Sequence, residues 1–101
     1  MVRRREYKIE PITVNRASIN KVIIDPHYEE KHSEHINDDL ILRLVKKLNN
    51  RNQAPEVKDK NFSYFATLLR LDERQYRLIW LLDSNAIYIG VINAYRDNRK
   101  E

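Results

Sequence analysis

The spacing of apolar residues changes twice along this chain, and the changes divide it into three parts. From Tyr7 to Val14 apolar and polar residues alternate loosely, with Pro11 interrupting, which predicts an edge strand or extended segment. "INKVIID", Ile19 to Asp25, predicts a short strand with Ile19, Val22, Ile23 and Ile24 as its apolar content. The period then becomes helical. Asp25 followed by Pro26 is a helix start: a side-chain cap, then a residue whose missing N–H costs nothing at the first helical position. A short helix to about His32 is expected. "INDDLILRLVKKLNN" predicts a second helix capped by Asn37, with Ile36 and Ile41 at the two positions of a hydrophobic staple. Leu40, Ile41, Leu44, Val45 and Leu48 form its apolar stripe. "NNRNQAPEVKDKN" reads as a loop. Beyond it the period is two: Phe62–Leu71, Gln75–Leu82 and Ala86–Tyr95 are three strands. The short connections "DERQ" and "DSN" imply an antiparallel meander.

This order predicts an α+β fold. Its sheet is antiparallel, a three-stranded C-terminal meander plus one or two N-terminal strands, with two helices on one face. The 101 residues make a single domain, and residues 1–6 are expected to form a flexible basic arm. A hydrophobic content of 42% with one Trp, six Tyr and two Phe suffices for a core. No stretch approaches the roughly 20 apolar residues of a membrane span, and no apolar run follows the basic start as in a secretory signal. There is no cysteine, which excludes disulfides and thiolate metal sites and fits a cytoplasmic protein. A single glycine excludes Gly-rich phosphate loops.

Charge is unevenly spread. Residues 1–24 carry a net +4, residues 25–39 a net −5, and residues 40–101 a net +5. The acidic run also holds all three histidines, His27, His32 and His35. Their H-x4-H-x2-H spacing matches no closed zinc ligand set, so neither a metal nor another cofactor is expected. Acidic residues at helix starts account for most of the run, because they favour the positive helix ends. The rest of the chain offers a basic surface for a polyanion, or ordinary solvated charge. Arg70, Arg74 and Arg77 surround the first meander turn, where they can bind phosphate or simply pair with Asp72 and Glu73. Arg70 and Arg77 share a face only if the register allows. Tyr88 and Tyr95 alternate onto opposite faces if the last strand is regular. Trp80 belongs in the core.

Two stretches resemble the BrnT branch of the RelE-like ribonuclease toxins. "IDPHYEEKHS", Ile24–Ser33, is similar to that family's strand, Asp-Pro helix start and Lys-His pair, with Lys31 and His32 at the pair. "VINAYRDNRKE", Val91–Glu101, is similar to its last strand, where Asn93 and Ala94 match a small polar residue and an alanine. Tyr95 stands where the family has a strand arginine, and Arg96 follows one place later, so only one of the two can face the site. The resemblance implies a RelE-like fold, an antitoxin protein as partner and messenger RNA as substrate. It also implies metal-independent cleavage by attack of the ribose 2′-hydroxyl. In that chemistry His32 is the acid/base candidate, Tyr88 and Tyr95 can stack on bases or hold the scissile phosphate, and Arg96 can stabilise the charge that builds on it. Lys31, Arg70, Arg74, Arg77, Arg99 and Lys100 would bind the RNA.

Two other readings stay open. One is a catalytically silent module of similar fold that binds nucleic acid or protein, with His32 merely packed against the sheet and the basic tail merely a soluble end. The other is a small structural or assembly protein, for which the sequence offers no positive feature.

Overall fold

A computed structural model of the chain describes residues 3–85 and 87–98. β1 (Arg5–Val14) and β2 (Ala17–Ile24) form an antiparallel hairpin. A 3-10 turn (Pro26–Tyr28) runs into the single-turn helix α1 (Glu29–His32), and α2 spans Asp38–Lys46. β3 (Val57–Lys58), β4 (Phe62–Leu71), β5 (Arg74–Asp83) and β6 (Ile89–Arg96) follow. The six strands lie in one sheet in the order β1-β2-β6-β5-β4-β3.

Both expected helix starts are present. Asp25 Oδ1 accepts from the His27 N–H at 2.9 Å, and Asn37 Oδ1 accepts from the Leu40 N–H at 2.8 Å. Ile36 and Ile41, the staple pair, are both buried. α2 turns Ile41, Leu44 and Val45 into the core, and Leu48 just beyond it is buried too. They pack with Ile19, Val22 and Ile24 of β2, Leu78 and Trp80 of β5, and Ile89 and Val91 of β6. Trp80 is fully buried and stacks on Phe65 of β4, ring centroids 4.1 Å apart. Its indole N–H donates to Thr67 Oγ1 at 2.9 Å, and Thr67 donates to Gln53 Oε1 at 2.7 Å. The one buried indole donor is thus satisfied, as burial requires.

The structure corrects three expectations. The sheet is mixed, because β6 pairs with β2 in parallel through Val22–Ile24 and Ile89–Val91. The helices carry the chain from β2 to the far edge of the sheet. A three-strand meander then returns to β2's side with its last strand running in β2's direction. Residues 57 and 58, read as loop, form β3 against Tyr64 and Ser63. Arg5 and Glu6, expected in a flexible arm, belong to β1.

Arg5 is held there by Asp38, the first residue of α2. Its Nε and a terminal nitrogen donate to the two carboxylate oxygens at 2.5 and 2.8 Å. Tyr7 of β1 donates to Oδ2, and Tyr28 donates to Oδ1 at 2.7 Å. One carboxylate therefore ties β1, the 3-10 turn and α2 together. Its pKa falls to about 2, chiefly through the Arg5 hydrogen bonds and with help from both phenols. Burial, and then the bond to Asp38, pushes the Tyr28 phenol up.

Candidate nucleic-acid interface

One face of the sheet packs on α2. The other is open, and strand alternation decides which side chains it displays. In β5, Tyr76, Leu78, Trp80 and Leu82 are buried, so Gln75, Arg77, Ile79 and Leu81 point to the open face. In β4 the buried residues are Phe65, Thr67, Leu69 and Leu71, which leaves Leu68 and Arg70 outward. Arg70 pairs with Gln75 and Leu68 with Arg77, so Arg70 and Arg77 do share a face as diagonal neighbours. Arg74 pairs with buried Leu71 and lies on the other side, away from them.

β6 is not regular. Ile79 pairs with Asn93 but Trp80 pairs with Val91, so Ile92 is an extra residue in a β-bulge. The bulge reverses the alternation. Tyr88, beside Gly90, lines a concavity on the open face. Tyr95, opposite Arg77, is on that face as well. The expectation that Tyr88 and Tyr95 face opposite ways is therefore overturned. Arg96 sits opposite buried Tyr76 and points toward the helix side, where its Nε–H is buried and donates to no acceptor among the described residues. Of the two candidates for the strand position, Tyr95 reaches the open face and Arg96 does not.

α1 begins where β2 ends. The Asp25 N–H donates to the Val91 carbonyl at 2.9 Å, which sets the 3-10 turn and α1 alongside the second half of β6. His32, half-buried at the end of α1, stacks on Tyr95 with ring centroids 5.4 Å apart and planes 27° apart. Lys31 next to it is exposed. The other histidines go elsewhere: His27 Nδ1 lies 3.0 Å from Glu30, and His35 is exposed. Arg77 donates from Nε to Asp97 Oδ2 at 2.8 Å, and the Asp97 side chain is only 2% exposed. The Asp97 N–H in turn donates to the Gln75 carbonyl. Arg77 is thus held in place by a buried carboxylate.

Three elements, α1, β6 and β5, bring His32, Tyr95 and Arg77 to one patch. Its groups can exchange a proton, stack on a ring and hold an anion. Arg70 extends the patch across β4. Arg99 and Lys100 lie outside the described residues. The reading of the sequence missed Asp97, because "RDNRKE" carries no signal that its aspartate is buried under β5. It also missed Arg77's place beside Tyr95, which depends on a bulge that composition does not announce. Compared with protein-family models, with curated proteins and with solved structures, the chain finds no match.

Proposed function

We propose that the open face binds RNA, and that His32, Tyr95 and Arg77 form a metal-independent endoribonuclease site of RelE-like, BrnT-type character. The observation that carries this reading is the stacking of His32 on Tyr95, directly across the strand pair from Arg77. The Lys-His pair and the last strand, the two stretches that carry the resemblance, converge on that one patch. An antitoxin partner belongs to the same reading.

In this scheme the His32 imidazole takes the proton of a ribose 2′-hydroxyl. The 2′-oxygen attacks the adjacent phosphorus, and the P–O5′ bond breaks. The leaving 5′-oxygen takes a proton from water, the His32 imidazolium returns its proton to the hydroxide so formed, and a 2′,3′-cyclic phosphate remains. Imidazole suits the proton transfer because its reference pKa lies near neutrality. Arg77 takes the role expected of Arg96: its guanidinium stays charged and can meet the negative charge that builds on the phosphoryl oxygens. Tyr95 holds the imidazole plane by stacking.

RNA incubated with the purified protein in excess chelator should be cut and should carry cyclic phosphate ends. His32→Gln should cut at least about a hundredfold more slowly with an unchanged melting temperature. The silent binding module is the second reading, favoured by the pairing of Arg77 with Asp97. It predicts that RNA is bound and left intact.

A further inference from the structure

The open face carries a second feature besides the His32–Tyr95 patch. Ile23, Leu81, Tyr64 and Tyr88 surround a pocket of about 290 Å³ above Gly90, with Arg4 and Asp25 at its rim. That is at the small end of ligand-pocket sizes. Gly90 is the chain's only glycine, and it is spent in a strand, not in a turn. A Cβ there would lie 2.8 Å from Leu81 Cδ1 and 2.9 Å from its Cγ. The missing methyl lets Leu81 lie flat over the neighbouring strand and keeps the pocket floor low.

Beside the pocket, Lys8 of β1 and Lys21 of β2 stand directly opposite each other. Their neighbours Tyr7 and Val22 face the core side, so both amines are on the open face. Like charges directly opposite destabilise a strand pair. Glu6, 3.8 Å from the Lys21 amine, offsets one of the two. Lys21 precedes Ile23 of the pocket wall by two residues on the same face.

We infer that this pocket receives an unpaired base of single-stranded RNA, with Lys8 and Lys21 holding the adjoining phosphates. The inference rests on the RNA reading above and names a second contact for the same ligand. Tyr64, Tyr88 and Phe62 among aliphatic side chains suit the flat face of a base. Asp25, which caps the 3-10 turn through Oδ1, has Oδ2 3.7 Å from Arg4 and offers it as an acceptor for a ring or exocyclic N–H. The opposed lysines suit a polyanion and no apolar side chain. The β6 bulge sets the pocket and the His32–Tyr95 patch on one face, about 15 Å apart along the strand. One extended strand can run over both.

Because Gly90 is unique, labelling the protein with 15N-glycine gives a single amide signal, from the pocket floor. On titration with a single-stranded RNA of about ten nucleotides, the size such surfaces cover, that signal should move. Its midpoint should match the one read by fluorescence anisotropy of the RNA. The double variant Lys8→Ala, Lys21→Ala should weaken both readings about tenfold at physiological salt and lower the slope of log affinity against log salt by up to about two. RNA that binds by anisotropy without moving the Gly90 signal, or binding indifferent to the two lysines, would overturn the pocket's role and leave the RNA reading of the face intact. Failure of RNA to bind by either measure would remove both. A Gly90 signal moved by a peptide and not by RNA would also overturn the inference.

Discussion

At the scale of single residues, Asp38 does more than its position in the sequence announces. As the first residue of a helix it reads as a charge favoured by the positive helix end. Its partners Arg5 and Tyr7 lie more than thirty residues away, where no local pattern points to them. The caps Asp25 and Asn37 were legible because a cap acts within three residues; the clamp was not, because only the folded chain assembles it. The carboxyl titrates at about 2, below its ordinary 3.8. A carboxylate depressed by folding adds stability that is fully present above the unfolded value and is lost as pH falls toward the folded one. Its side chain is 16% exposed, so the contribution near neutrality is about 2 kcal/mol. Asp38→Asn should therefore lower stability by about that amount at pH 7. The gap should close between about pH 4 and pH 2 in denaturant titrations. A variant equally stable at pH 7 would mean that the clamp adds nothing.

At the scale of elements, the long periodic segments were legible and their irregularities were not. β4 runs from Phe62 to Leu71 as its pattern predicts, and α2 buries the expected stripe. A bulge adds one residue to one strand without any change in composition, so Ile92 looked like part of a regular alternation. That single residue decides that Tyr95 and not Arg96 shares a face with Arg77. In β1 the register likewise shifts between Lys8 and Ile12, around Pro11, where an edge strand tolerates a missing N–H. The tight hairpin turns are also unusual. Asn15 and Arg16 join β1 to β2, and Asp72 and Glu73 join β4 to β5, all four with positive φ. Such turns match the twist of the strands but favour glycine, because a Cβ is strained in the left-handed region. Glu73→Gly and Arg16→Gly, both at exposed positions, should each raise stability by about 1 kcal/mol. In thermal melts each should gain a few degrees. A fall in melting temperature would show that the wild-type side chains make contacts that outweigh the strain.

At the scale of the whole molecule, the uneven charge has a structural account. The acidic run lies against the basic start of the chain: Asp25 is 3.7 Å from Arg4, and Arg5 pairs with both Glu29 and Asp38. Those opposite charges close the helix side and the end of β2. The open face carries Lys8, Lys21, Arg70 and Arg77, with Glu6 beside Lys21 and the Asp97 carboxylate on Arg77. The mixed sheet completes the arrangement, because parallel pairing of β2 with β6 sets α1 beside the second half of β6 and brings His32 to Tyr95. The meander was legible in the sequence; which strand it returned to was not, since two edges are open to a returning strand. The central claim is that the open face, and not the helix side, acts on RNA. The most direct test is the rate of RNA cleavage in chelator by three proteins: the intact chain, Arg77→Lys and Arg96→Met. Arg77→Lys keeps a charge for Asp97 but loses the planar fork, and Arg96→Met keeps the packed stem and removes a buried donor that has no partner among the described residues. The account predicts cleavage by the intact chain, a loss of about tenfold or more in Arg77→Lys, and a rate within about twofold in Arg96→Met. Uncut RNA with the intact chain, or activity abolished in Arg96→Met and spared in Arg77→Lys, would contradict it.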